Sequence, residues 1–272
     1  FEERSHTKAK LNICQLKKLF RLGRSFKILK KFLNAGKLSL ELRDAGLKKE
    51  IKSDNTPVTN GDLEVNKILV KKIREITPDI SIVSEESHEN KLNVNLKDFW
   101  LIDPIDGTYD YVNNGDEFTL NAALIINKKP KIGIIYAPAK DRLFYSYDKG
   151  YSFELIKGKE VKLNCEKKSK QGQVKAVSYS DNLKSNIIEI HKKFGVTEFV
   201  KMKSSLKFCV IATGEYDFYV AEPRASEWDI AAGHAIIENA GGLVSDHNEK
   251  EIFYGKKNFK NPGIILRRSK NL

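Results

Sequence analysis

Two aspartates three residues apart, reached by an apolar run and separated by a proline, make Trp100–Thr108 (WLIDPIDGT) the first stretch whose side chains could do chemistry. An apolar strand would deliver Asp103 at its carboxyl end, Pro104 would stiffen the turn, and Gly107 would permit a close backbone approach ahead of Thr108. Carboxylates so close repel. A hard cation such as Mg²⁺, which prefers carboxylate and carbonyl oxygens, relieves that repulsion. A capped surface turn with two acids would carry the same residues, so the pattern alone leaves both readings open. Other acids favour the metal. Glu85 and Glu86 follow the apolar run Ile80–Val83, again at a strand end, and Asp229 follows Trp228 and opens a helix from Ile230. Aspartate is a favoured N-cap, and a helix N-terminus also receives phosphate, so the two roles of Asp229 are compatible.

The elements that must position these acids can be read from hydrophobic spacing. Ile28–Ala45 reads as a helix ending at Gly46, 55–60 (NTPVTN) as a loop, and Asp62 as the start of a second helix running to Thr77. Ile80–Val83, Phe99–Ile102, Leu120–Ile126, Ile132–Tyr136 and Leu143–Tyr147 read as strands. The polar run 164–173 is the linker candidate. Beyond it strands (Val174–Tyr179, Phe199–Lys201, Asp217–Val220) alternate with helices (Asn182–Phe194, Ser205–Thr213, Ile230–Ala240). The expected division is a basic extension over 1–27, an α+β domain over 28–165 holding most of the acids, and an α/β domain over 170–272 contributing Asp229.

Composition bounds the partners. With 272 residues, 40% hydrophobic and 10% aromatic, the chain can bury a large core. Its longest apolar stretches are far shorter than a membrane-spanning helix needs. Cys14, Cys165 and Cys209 are too scattered for a disulfide framework or zinc ribbon, which suits a reducing, cytoplasmic setting. The net charge of +12 invites a nucleic-acid reading, but +9 of it resides in residues 1–40 and the body is nearly balanced. That basic, amphipathic segment fits a helix packed on the body, a targeting extension (organellar included), or a contact with a membrane surface or nucleic acid. No GxxxxGK[ST] or GxGxxG phosphate loop is present, and the five histidines show no close metal-ligand spacing.

Four motifs in order, PVTNGD (57–62), SEES (84–87), WLIDPIDGT (100–108) and EWDIAAGHAIIENAGG (227–242), resemble the magnesium-dependent, lithium-sensitive phosphatases of the inositol monophosphatase superfamily. KSDNTPVT (52–59), EFTLNAALI (117–125), SSLKFC (204–209) and the SEWDIAAGH form of the last motif are most similar to the 3'(2'),5'-bisphosphate nucleotidase branch. The resemblance implies an αβαβα sandwich with the metal site between its halves. It implies one Mg²⁺ on Glu85, Asp103 and the Ile105 carbonyl, a second on Asp103, Asp106 and Asp229, and a third position near Asp62 and Glu85. Asp62 and Thr108 would orient and activate the attacking water, and Gly107 and Thr108 would donate to the scissile phosphate. Ser204 and Lys207, at a helix start where Ser205 reads as an ordinary N-cap, would hold the nucleotide and its other phosphate.

The implied reaction is removal of the 3'-phosphate of adenosine 3',5'-bisphosphate to give AMP. 3'-Phosphoadenylyl sulfate is a second candidate substrate, which would tie the enzyme to sulfur assimilation. Inositol-1-phosphate hydrolysis is the alternative within the superfamily, and a basic nucleic-acid-binding protein on an inactive phosphatase scaffold the alternative outside it. Lys203 departs from the pattern by standing where a glycine is common, as do Gly61 for alanine and Ser152 for glycine.

Overall fold

The structure, a computed structural model, describes residues 26–52, 57–87, 96–165 and 173–272. The basic segment through residue 25 and most of the expected linker lie outside the described residues.

Two helices, α1 (Phe26–Asp44) and α2 (Asn60–Ile76), form because apolar residues recur on one face of each. Ile28, Leu29, Phe32 and Ala35 are buried on α1, and Val65, Leu69 and Ile73 on α2. α2 starts before Asp62: Thr59 is its N-cap, and Asp62 is the third helical residue, closing a capping box with Thr59. Its carboxylate is therefore held inside the first turn. The expected loop over 55–60 is partly a strand, since β2 (Pro57–Thr59) pairs antiparallel with β1 (Lys49–Ile51). Proline is tolerated there as the first residue of a strand at an edge.

A seven-stranded sheet follows in chain order: β3 (Ser81–Ser84), β4 (Phe99–Asp106), β5 (Thr119–Ile126), β6 (Lys129–Ala137), β7 (Arg142–Asp148), β8 (Tyr151–Ile156) and β9 (Lys159–Lys162). Only the β3–β4 pair is parallel. A short helix, α3 (Thr108–Val112), turns the chain from β4 to β5. β9 is exposed at every residue, so hydrophobic pattern gave no sign of it.

The C-terminal half supplies β10 (Val174–Ser178), α4 (Ser185–Lys193), β11 (Val196–Lys201), α5 (Leu206–Ala212), β12 (Phe218–Ala221), α6 (Glu227–Asn239), β13 (Leu243–Asp246) and β14 (Ile264–Arg267). Its five strands lie in the order β11-β10-β12-β14-β13, with β14 antiparallel to both neighbours. β13 and β14 are not among the strands expected from sequence.

Burial defines five layers. One face of the seven-stranded sheet (Trp100, Ile102, Leu120, Ile134) packs on α1 and α2. The other (Leu101, Ala123, Ile125, Ile135) packs on α5 and α6, which also cover Tyr219, Val244 and Leu266 of the five-stranded sheet. The far face of that sheet (Ala176, Phe218, Val220, Ile265) receives Ile187 of α4. The αβαβα order thus follows from two-sided burial of both sheets. At Gly133 any Cβ would come within 2.2 Å of the Ala232 carbonyl, so α6 lies directly on β6.

Candidate active site

The two-residue period of β4 decides where its acid goes. Phe99 and Leu101 face α5 and α6 while Trp100 and Ile102 face α1 and α2, so Asp103 falls on the inner face. The β4–β5 register shifts between Asp103 and Asp106, a local irregularity that ends regular pairing just where the acids lie. Glu85 joins them from the end of β3, where its N–H donates to the Ile102 carbonyl at 3.0 Å.

Asp229 arrives from the other half of the chain, but not as the first residue of its helix. α6 begins at Glu227, Ser226 is the N-cap, and Asp229 is the third residue of a capping box, accepting the Ser226 N–H at 2.7 Å. The expected start at Ile230 falls one turn late because the capping box of Ser226 and Asp229 begins the helix upstream of the continuous small and apolar run. Glu85, Asp103 and Asp229 each offer an oxygen, all within 4.8 Å of one another.

This crowding has an electrostatic signature. Shielding from water, then repulsion from Glu85, Asp106 and Asp229, drives the Asp103 carboxyl well above the ordinary range. Asp229 is raised well above its usual value by shielding, Asp106 and Glu85. Shielding also raises Glu85, against the opposing ammonium of Lys52, which lies 3.4 Å from Glu85 Oε1 and 2.6 Å from Glu86 Oε1. Asp103 Oδ1 is buried with no hydrogen-bond partner. Clustered carboxylates with one orphaned buried oxygen form an all-oxygen donor set, which fits a hard divalent cation such as Mg²⁺.

Beside the cluster, buried Asp62 gives Oδ2 to the N–H and hydroxyl of Thr59, at 2.8 and 2.6 Å. Its Oδ1 lies 3.3 Å from Thr108 Oγ1, which is also 3.1 Å from the Ile105 carbonyl. Burial pushes Asp62 up to about 6, against the pull of its Thr59 bonds. Gly107 has φ +90°, a conformation that favours glycine, and a Cβ there would come within 3.1 Å of the Glu117 carbonyl.

A cavity of about 330 Å³ opens beside Asp106 and Asp229. Its wall includes Lys207 and Arg224 with the rings of Tyr179 and Tyr219. Lys207 is buried, its ammonium 2.5 Å from the Ser204 carbonyl and 5.5 Å from the centre of the Tyr219 ring. Burial, opposed by the charge of Asp106 and aided by that of Arg224, lowers it to about 8. Arg224 is exposed, its guanidinium 4.8 Å from the Tyr179 ring. Ser204, at φ +51°, and Lys203 line the same cavity; the Lys203 ammonium pairs with Asp110 and its N–H donates to Glu117 Oε2 at 2.9 Å.

All the acids expected from sequence therefore meet in one region with Thr108, Gly107, Ser204 and Lys207 around them. Ser205 departs from expectation. It makes no side-chain cap of α5; its Oγ lies 2.6 Å from both Asp106 Oδ2 and the Asp229 carbonyl, and accepts from Asn121 at 2.9 Å. Sequence reasoning missed Asn121, Tyr179, Tyr219 and Arg224. Asn121 left a signal, being the polar residue inside the apolar strand TLNAALII. The others left none, since their common cavity forms only on packing.

A model of the inositol monophosphatase family matches residues 26–270. Among similar proteins, the 3'(2'),5'-bisphosphate nucleotidase CysQ of Salmonella typhimurium is 33% identical over 241 residues, covering 85% of this chain and 94% of that protein. CysQ of Buchnera aphidicola is 38% identical over 195 residues, 71% of this chain and 72% of that one. Among solved structures, CysQ from Bacteroides thetaiotaomicron, a bacterial member of the same family, superposes with a TM-score of 0.77 at 28% identity, covering 90% of this chain and 97% of that one.

Proposed function

We propose, since the chain belongs to the inositol monophosphatase family, that this phosphoric monoester hydrolase removes the 3'-phosphate of adenosine 3',5'-bisphosphate in a Mg²⁺-dependent reaction, giving AMP and phosphate. The observation that carries the reading is one cavity with opposite chemistry on its two sides. Asp229 belongs with Glu85 and Asp103 to an acid cluster suited to hard cations, Asp106 stands near enough to raise its carboxyl, and Lys207 and Arg224 form a cationic wall suited to a second anion. A substrate with a single phosphate leaves that wall unused.

The residues that would hold Mg²⁺ are Glu85, Asp103, the Ile105 carbonyl, Asp106 and Asp229. Bound there, the ions supply positive charge against the phosphate oxygens and the developing alkoxide of the leaving nucleotide. Thr108 donates a hydrogen bond to Asp62 Oδ1, which leaves its oxygen lone pairs to accept a hydrogen bond from the attacking water and so orient it. Asp62 stays in place because Thr59 occupies its other oxygen. The backbone N–H groups of Gly107 and Thr108 meet the scissile phosphate, while Lys207, Arg224 and Ser204 receive the phosphate that is not hydrolysed. Tyr179 and Tyr219 give that wall flat apolar faces for the nucleoside.

Phosphate release measured side by side on adenosine 3',5'-bisphosphate, 3'-phosphoadenylyl sulfate and inositol-1-phosphate, with Mg²⁺ and with EDTA, tests the proposal. The expected result is at least a tenfold higher kcat/KM for the bisphosphate and no turnover in EDTA. A tenfold preference for inositol-1-phosphate overturns the substrate assignment, and undiminished turnover in EDTA overturns the metal requirement.

A further inference from the structure

An additional acid stands next to the cluster and takes no part in it. Glu227, the first residue of α6, is fully buried two residues before Asp229. Attraction for a cation is a poor account of this carboxylate, because both its oxygens are taken by other partners and the Lys256 ammonium offsets its charge. Its hydrogen bonds give a better one. Glu227 Oε2 accepts the Gly255 N–H at 2.7 Å, and Oε1 accepts the Lys256 N–H at 2.9 Å and lies 2.7 Å from the Lys256 ammonium. Three donors from a single turn satisfy the carboxylate, which removes most of the desolvation cost of burying it.

That turn is also fastened to the N-terminal half. The Tyr254 N–H donates to the Lys128 carbonyl at 2.9 Å, and Gly255, at φ +81°, passes so close to the Leu96 carbonyl that a Cβ would come within 2.8 Å of it. Phe259, just beyond, has Trp228 of α6 on one side, with ring centres 6.0 Å apart, and Phe99 of β4 on the other, at 6.4 Å. Trp228 precedes Asp229, and Phe99 begins the strand that carries Asp103. The start of α6 is thereby tied to the start of β4 through the 254–259 segment.

We infer that Glu227 is a positioning residue: by clamping the 255–256 turn it holds the first turn of α6 against β4 and keeps Asp229 beside Asp103 despite their mutual repulsion. The inference rests on the reading of Asp229 as a ligand of Mg²⁺. Without the clamp, the first turn of α6 is free to draw away from β4, which relieves the crowding of the two carboxyl groups, and the geometry that receives a dication is lost before one arrives.

The test is calorimetric titration of the intact protein with Mg²⁺ in the presence of inorganic phosphate, with the rise in Tm caused by Mg²⁺ as a second reading that does not depend on turnover. Asp229→Asn is the reference: Mg²⁺ affinity unchanged in that variant sinks the ligand assignment itself, independently of Glu227. Given a weakened Asp229→Asn, Glu227→Gln is expected to bind Mg²⁺ about tenfold more weakly, with a smaller Mg²⁺-induced rise in Tm and a substrate KM within twofold at saturating Mg²⁺. Lys256→Met, which keeps both backbone hydrogen bonds to Glu227, is expected to lose Tm but stay within twofold in Mg²⁺ affinity. Wild-type affinity in Glu227→Gln overturns the inference, as does equal weakening in Lys256→Met, which would mark a general loosening of the fold. Should Glu227→Gln not fold, Glu227→Asp carries the test: a carboxylate one methylene shorter with wild-type Mg²⁺ affinity overturns the inference, and a tenfold loss supports it.

Discussion

The cavity has two sides that concentrate charge in opposite senses and hold it by different means. The acids sit on short side chains of rigid elements: Asp103 on a strand paired on both sides, Asp229 in the first turn of a long helix, each anchored by backbone pairing or a capping box. The cations sit on long side chains laid against aromatic rings, Lys207 on Tyr219 and Arg224 on Tyr179. Short anchored ligands fix a geometry, and long stems resting on rings can follow a ligand's shape. On the proposed function, the chemistry of phosphate removal falls to the acid side and the choice of substrate to the cationic side.

The largest expected effect breaks the acid side. Asp103→Asn should lower turnover on the order of 10³-fold on every phosphomonoester, and calorimetry should show weaker Mg²⁺ binding, because the proposed function gives the orphaned buried oxygen to the ion. An effect confined to one substrate would collapse the distinction between the two sides.

Next comes the cationic side. Lys207→Met, of similar length without the charge, should raise KM for adenosine 3',5'-bisphosphate about 30-fold while leaving kcat for inositol-1-phosphate within threefold. Arg224→Ala should act in the same direction but more weakly, since Arg224 is exposed and screened. Equal losses on both substrates would show that the wall supports structure rather than selection.

A smaller effect sharpens the contrast through stability. With Mg²⁺ removed, Asp62 keeps its proton up to about 6 in the folded protein, against an ordinary 3.8. The folded state then binds more protons between those values, so this group's contribution to stability falls as pH rises through the window and is least favourable above pH 6. In EDTA at pH 7, Asp62→Asn should therefore be more stable than wild type by about 1–2 kcal/mol, an advantage that fades toward pH 4 in urea melts and that accompanies a loss of activity.

The smallest effect lies outside both sides. His191 on α4 is buried against Phe199 and Phe218, its Nε2 has no hydrogen-bond partner, and burial lowers its pKa from 6.5. A depressed histidine leaves stability intact above pH 6.5 and reduces it as pH falls below, because the unfolded chain takes up the proton first. His191→Phe should flatten that acid limb by less than about 1 kcal/mol without altering kcat or KM. A change in turnover would connect the outer layer to the site.

The acids were legible in the sequence because each is placed by a local rule. Asp103 follows from an apolar strand ending in D-P-I-D-G, and Glu85 from the end of a short strand. Boundaries were less legible at Asp62 and Asp229. Both are third residues of capping boxes rather than helix starts, and a carboxylate in the first turn, next to the apolar run, is easily taken for the cap that lies three residues upstream. Ser205 does stand at the N-cap of α5, as a serine before a helix suggests, but packing turned its hydroxyl to Asp106 and the Asp229 carbonyl.

Periodicity, capping and turn chemistry act over a few residues, so the sequence by itself determined which carboxylates stand at element ends and on which face of β4 Asp103 lies. Which of those ends meet was decided only when the two sheets closed on α5 and α6, for contacts between distant segments depend on the fit of whole faces. The same closure buried Lys207 beside Arg224, brought Asn121 to Ser205, and gave Glu227 the 255–256 turn to hold. Burial and proximity of charge are properties of the packed chain, and they are what turned ordinary aspartates and lysines into groups poised to bind ions of opposite sign.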